Sequence, residues 1–346
     1  MRTALAVLCT VLFSLGARAQ SHIDLAALPP WHVPDIAALP HDEAGEAIRY
    51  GRDLLRHTSA LIGPDAQEPA MRFAGNGLEC QSCHLEAGTV RFGLPLVGIW
   101  SLYPAFSARV NATQTLADRI NDCMLRSMNG RPLPQDSREM KAIEAYIKFL
   151  GSEQPNGFAP VGRGSPKLPL PDFAANPARG KAVYQQVCAA CHHADGQGVR
   201  YSPPDARDNQ QRYLFPPLWG SDSYNDGAGM AHVIAAAWFA HANMPRGVTF
   251  AYPILKPEQA YDVAAYIDSQ PRPRFQALTH DYPDPWLKPA DVATAPVLGP
   301  FPIQQHKFGP WQPIEAWMRA HTPASEHGAR SAGDLETTSD PAPAPR

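Results

Sequence analysis

Two short strings carry the clearest chemistry in this chain: Cys80-Gln-Ser-Cys83-His84 and Cys188-Ala-Ala-Cys191-His192. Each is a C-x-x-C-H motif, in which two thiols add across the vinyl groups of a haem and the adjacent imidazole ligates iron. One such string alone also suits half of a zinc site or a redox disulfide. Two copies, neither followed by further Cys or His pairs at short spacing, point instead to two covalently attached haem c groups. His84 and His192 are then the proximal ligands.

Each iron still needs a sixth ligand or an open face. In the second half the candidates are Met230, Met244, His193, His232 and His241. Met230 opens an apolar stretch, where methionine usually fills core space. Met244 is preferred, with His241 next, because Pro245 stops the preceding helix and frees a loop to aim the thioether. In the first half, Met124, Met128 and Met140 compete with Cys123, which follows His84 by 39 residues. Thr115 and Asp118 form a capping box that opens a helix reaching about Met128. On it Arg119, Cys123 and Ser127 fall at successive i, i+4 positions and share a face. Free cysteine is often simply buried. Here an exported setting, a neighbouring arginine and the lack of a partner cysteine favour a reactive thiolate. Arg109, one loop earlier, adds a second fork-shaped donor for a small oxyanion.

These residues need elements to position them. A helix is expected before each haem motif, over 43–61 and 177–187, and another after it, over 138–150 and 257–269. Both closing helices contain Ala-Tyr-Ile, at 145–147 and 265–267, so the halves read as a repeat. The fold class is mainly α: two cytochrome c-type domains, 20–150 with the active-site haem and 172–274 with the electron-transfer haem. A Pro/Gly-rich linker over 151–171 joins them. Residues 275–321 form a further C-terminal segment, in which His306 is structural, and 322–346 read as a disordered tail without aromatics.

Residues 1–19 have the layout of a cleavable secretory signal: a charged Arg2, an apolar run and a small-residue site ending at Ala19. Cys9 leaves with it. The formal charge of −3 becomes −5 once Arg2 and Arg18 are removed, and nothing favours nucleic acid. No other stretch is apolar enough to span a membrane, so an exported, periplasmic protein is expected. The 37 prolines argue for long irregular segments around short helices.

The chain resembles the dihaem thiosulfate dehydrogenases, the tetrathionate-forming cytochromes, over nearly all its expected mature length. The match is carried by 78–88 (LECQSCHLEAG), 95–103 (PLVGIWSLY), 118–130 (DRINDCMLRSMNG), 139–150 (EMKAIEAYIKFL), 188–198 (CAACHHADGQG), 215–230 (FPPLWGSDSYNDGAGM) and Asn243-Met244-Pro245. The resemblance implies His84/Cys123 ligation at the active haem, His192/Met244 at the second, and a substrate pocket of Arg109, Arg119 and Ser127. Some members place an alternative lysine ligand beside the methionine; Asn243 occupies that position here. Implied partners are thiosulfate or tetrathionate and a small electron-accepting redox protein.

Two other functions are compatible with the residues. A pure electron carrier would need two saturated haems, with Met124 or Met128 on the first. A cytochrome conjugating thiosulfate to a carrier protein's thiol would use the same cysteine but require a partner chain.

Overall fold

The structure is a computed structural model and describes residues 28, 32–153, 161–201 and 212–323. The expected leader lies outside the described residues, as do part of the linker and nearly all of the expected tail. In chain order the helices of the first half are α1 (Glu43–Arg56), α2 (Thr58–Ile62), the short α3 (Leu85–Gly88), α4 (Leu116–Arg126) and α5 (Arg138–Leu150). An antiparallel hairpin, β1 (Ala105–Ser107) and β2 (Ala112–Gln114), precedes α4. The second half contains α6 (Pro177–Val183), α7 (Ala189–His192), a hairpin of β3 (Val199–Arg200) and β4 (Tyr213–Phe215), then α8 (Val233–Asn243) and α9 (Pro257–Asp268). Two further helices, α10 (Ile303–Phe308) and α11 (Gln312–His321), close the described chain. The fold is mainly α, as two cytochrome c domains require.

The repeat is built on two helix crossings, α1 on α5 and α6 on α9. Each crossing has a glycine at its closest point. A Cβ at Gly51 would lie 2.0 Å from the Ala142 carbonyl oxygen and 2.8 Å from Tyr146 Cβ. One at Gly180 would lie 1.8 Å from the Asp262 oxygen and 2.9 Å from Tyr266 Cβ. Backbones this close admit only glycine, and the tyrosines are those of the repeated Ala-Tyr-Ile. Asp262 fastens the second crossing, accepting from the Asn176 amide at 2.7 Å and pairing with Arg179 at 2.6 Å.

Two hydrophobic cores result. The first gathers Leu54, Leu55, Met140, Ile143 and Ile147, and the second Tyr184, Val233, Ala237, Tyr261 and Trp311. Tyr224 and Ala228 from the second half are buried in the first core, and Met230 packs against both. α10 and α11 cover the second core with Phe308, Trp311, Ile314 and Met318. His306 is buried there, its Nδ1 2.9 Å from the Ala290 carbonyl, which agrees with a structural role.

Two helices differ from expectation. The helix over 43–61 breaks at His57 (φ −132°, ψ 39°). The break turns Thr58 inward, where its hydroxyl donates to Leu54 O at 2.7 Å and accepts from the Cys80 amide at 3.0 Å. The helix over 177–187 loosens into a π turn over Tyr184–Cys188 before α7 resumes. The stretch around Arg109, expected as a loop, is the turn of the β1–β2 hairpin.

Candidate active site

Cys80 opens a single 3-10 turn, Cys80–Ser82, that brings both thiols of the first motif near one another. His84 follows with its Nδ1 2.6 Å from the Leu94 carbonyl. That carbonyl takes the ring proton and fixes the tautomer, leaving Nε2 as a basic lone pair for a metal. Leu94 holds the carbonyl in place from a left-handed backbone conformation (φ 52°).

The facing wall is α4. Its capping box forms as expected, with the Thr115 hydroxyl accepting from the Asp118 amide and the Asp118 carboxylate from the Thr115 amide. Arg119 Nη1 lies 3.3 Å from Cys123 Sγ. Burial pushes the Cys123 thiol up, but Arg119 and the His84 side chain within hydrogen-bonding reach outweigh it, leaving a pKa lowered to about 7. Cys80 and Cys83 lack such a cation, and burial drives both up to about 12. Cys123 is therefore chemically distinct from its neighbours. Met124, Met128 and Met140 instead pack in the first core.

Arg109 reaches the same place from the hairpin. It lies close enough to Arg119 for the two guanidiniums to repel. Ser127 caps the C-terminus of α4, one turn beyond Cys123, with its backbone amide bonded to Cys123 O. His84, Cys123, Arg119 and Arg109 thus converge, although 39 residues separate the first two in sequence.

The second motif repeats the arrangement. His192 Nδ1 is 2.8 Å from the Pro216 carbonyl, and burial lowers its pKa, which keeps the ring neutral as a metal ligand must be. Met244 caps α8 with extended backbone (φ −120°, ψ 143°) and is half-buried. Its neighbour Asn243 is buried and donates to Phe92 O and Phe239 O, both at 3.1 Å, so its side chain is committed to holding the loop. His193 is exposed, whereas His241 is buried with Nε2 unpartnered. All five cysteines among the described residues are free thiols. With Nδ1 of each imidazole engaged by a backbone carbonyl, Nε2 is the nitrogen left to bind a metal, and the side chains fit two covalent haems.

Sequence reasoning missed a second layer supplied by the C-terminal segment. Arg126, one turn past Cys123, pairs with both oxygens of Asp281 at 2.7 Å and lies over the Phe275 ring at 4.2 Å. Tyr282 donates its amide to Arg109 O at 2.7 Å. His232, whose pKa burial lowers, also sits within electrostatic range of Arg109. No local pattern signals these residues, since they meet across more than 100 positions of chain.

Two haem-attachment motifs, each with an oriented histidine and its own helical core, define a dihaem c-type cytochrome. Known proteins narrow the class. The family model "SoxA/TsdA, cytochrome c domain" matches residues 72–155 and the Cytochrome c model residues 177–271. The chain is 41% identical over 253 residues to a thiosulfate dehydrogenase of Allochromatium vinosum, covering 72% of this chain and 87% of that protein. It is 36% identical to one from Stutzerimonas stutzeri, covering 71% and 74% respectively. Among solved structures it is similar to the thiosulfate dehydrogenase (TsdBA) from Marichromatium purpuratum in its "as isolated" form, with a TM-score of 0.61 and 36% identity over 70% of this chain. It spans 49% of that protein's length. The chain belongs to the thiosulfate dehydrogenase family and is an oxidoreductase.

Proposed function

We propose that this chain oxidises thiosulfate in the periplasm, joining two S2O3(2−) ions through their outer sulfurs into S4O6(2−) and releasing two electrons to an external redox protein. The observation that carries this reading is the contact of Arg119 with Cys123, set against His84 and with Arg109 alongside. A thiolate-prone sulfur flanked by two guanidiniums suits a small sulfur dianion.

The attachment cysteines would be Cys80, Cys83, Cys188 and Cys191, with His84 and Cys123 as ligands at the first iron and His192 and Met244 at the second. When bound, the two haems would supply one-electron acceptor sites, enough together for both electrons released per tetrathionate. Arg109 and Arg119 hold the sulfonate oxygens and direct the outer sulfur toward Cys123 Sγ. Ser127 offers a hydroxyl on the same face. The Leu94 and Pro216 carbonyls keep the two imidazoles in one tautomer. Tetrathionate must enter by the same pocket, so the reverse reaction uses the same residues. Burial of Met124 and Met128 in the core weighs against the electron-carrier alternative.

A steady-state assay of holoprotein tests this, using thiosulfate with an artificial acceptor and tetrathionate with an artificial donor. Arg109→Ala and Arg119→Ala should each raise the thiosulfate KM or lower turnover roughly tenfold or more, as loss of a charge-assisted contact requires. Met244→Gly should change only the second haem's spectrum, and His241→Ala should leave it intact. Inertness toward both sulfur anions would defeat the proposal.

A further inference from the structure

The C-terminal segment reaches the pocket at Tyr282. Its approach is determined by its neighbours. Asp281 is pinned by both bonds to Arg126, and Phe275, earlier in the segment, donates its amide to Asp226 at 2.6 Å. Pro283 and Pro285 stiffen the exit. Between these fixed points Tyr282 adopts φ +56°, a conformation rare for a bulky side chain and one that persists when surroundings impose it.

The result is a two-point grip on Arg109. The Tyr282 amide donates to Arg109 O at 2.7 Å. The Arg109 Cζ lies 6.0 Å from the Tyr282 ring centroid, with the phenol oxygen within hydrogen-bonding reach of the guanidinium. Arg109 needs such a restraint, because Arg119 repels it and the nearby Asp281 carboxylate is already bonded bidentately to Arg126. Left alone, a guanidinium on a long side chain would swing away from its like-charged neighbour.

We infer that Tyr282 is a positioning residue for substrate binding: its phenol oxygen accepts one guanidinium N–H of Arg109 and holds the others toward the anion, so that the second half of the chain completes the first half's pocket. This rests on Arg109 as a substrate contact. Because phenylalanine keeps the ring and backbone, Tyr282→Phe removes only the hydroxyl.

The test is a double-mutant cycle of Tyr282→Phe and Arg109→Ala on the holoprotein, reading thiosulfate KM and kcat, thermal midpoints, and the first haem's absorbance change on titration with thiosulfate. Tyr282→Phe should raise KM several-fold with kcat and midpoint near wild type, weaken the titration equally, and have no added effect in the Arg109→Ala background. Wild-type KM in Tyr282→Phe alongside a raised KM in Arg109→Ala would overturn the positioning role and leave the pocket reading standing. An undiminished Tyr282→Phe effect in the Arg109→Ala background would also overturn it, since the phenol would then act by another route. Wild-type behaviour in both single variants would overturn the inference together with the reading it rests on.

Discussion

A thiol with an arginine 3.3 Å away and an imidazole against it is a different reagent from Cys80, Cys83 and Cys188, whose thiols burial pushes up. The difference comes from side-chain placement, since these thiols have the same intrinsic chemistry. Arg119 stabilises the thiolate and Cys123 faces His84, so the ligation and the reaction proposed for Cys123 can be separated by substitution. Another soft sulfur can ligate, but a thioether has no thiolate to offer. Cys123→Met should therefore give a folded dihaem protein with low-spin iron and thiosulfate oxidation reduced on the order of 100-fold or more. Cys123→Gly should be equally inactive while opening the first haem to external ligands. Spectra of each oxidised variant, read beside steady-state turnover, check both statements.

At the scale of elements, each domain depends on one helix crossing and each crossing on one glycine. Intrinsic propensity alone would favour alanine at Gly51 and Gly180 by about 1 kcal/mol. Contact decides otherwise, because the added Cβ would sit 2.0 or 1.8 Å from a carbonyl oxygen of the facing helix. The helices must separate, and overpacking of this kind costs typically 1–3 kcal/mol. Gly51→Ala and Gly180→Ala should each lower stability by at least that much, and thermal unfolding of the two proteins should show it. An α1 or α6 surface alanine would move the midpoint little by comparison.

At the scale of the whole molecule the halves are held together by buried polar links. Arg126 and Asp281 are nearly inaccessible, with 5% and 7% of their side chains exposed. Removing one partner leaves a buried charge, so Arg126→Ala should cost roughly 3–5 kcal/mol, measured by denaturant unfolding. Replacing both members by apolar residues should recover much of that loss. Glu79 forms a second link, accepting from the Ser59 amide at 3.0 Å and the Arg212 amide at 3.4 Å. Burial dominates over these bonds and raises its pKa to about 7 from an ordinary 4.5. The folded protein thus binds this proton more tightly than the unfolded chain. The stability contributed is fully present below about 4.5 and is lost as pH rises through about 7. Glu79→Gln should remove that slope, worth on the order of 3 kcal/mol, from a series of unfolding midpoints taken between those values.

Local chemistry was legible in the sequence because it is local. C-x-x-C-H places thiols and imidazole within one turn, i, i+4 spacing places Arg119 beside Cys123, and Thr115 with Asp118 caps α4, all without reference to the rest of the fold. The paired helices were legible from period and from the repeated Ala-Tyr-Ile, although the break at His57 depended on Thr58 meeting the Cys80 amide 22 residues on. The tertiary structure alone decided which carbonyl orients each histidine, that Asn243 is tied to Phe92 O, and that Arg126 and Arg109 are held by Asp281 and Tyr282. Those contacts link residues with no common periodicity, and they form only when two cores and a proline-stiffened segment pack together. Spacing encodes neighbours along a helix, whereas a partner 155 residues away is selected by burial and charge in three dimensions.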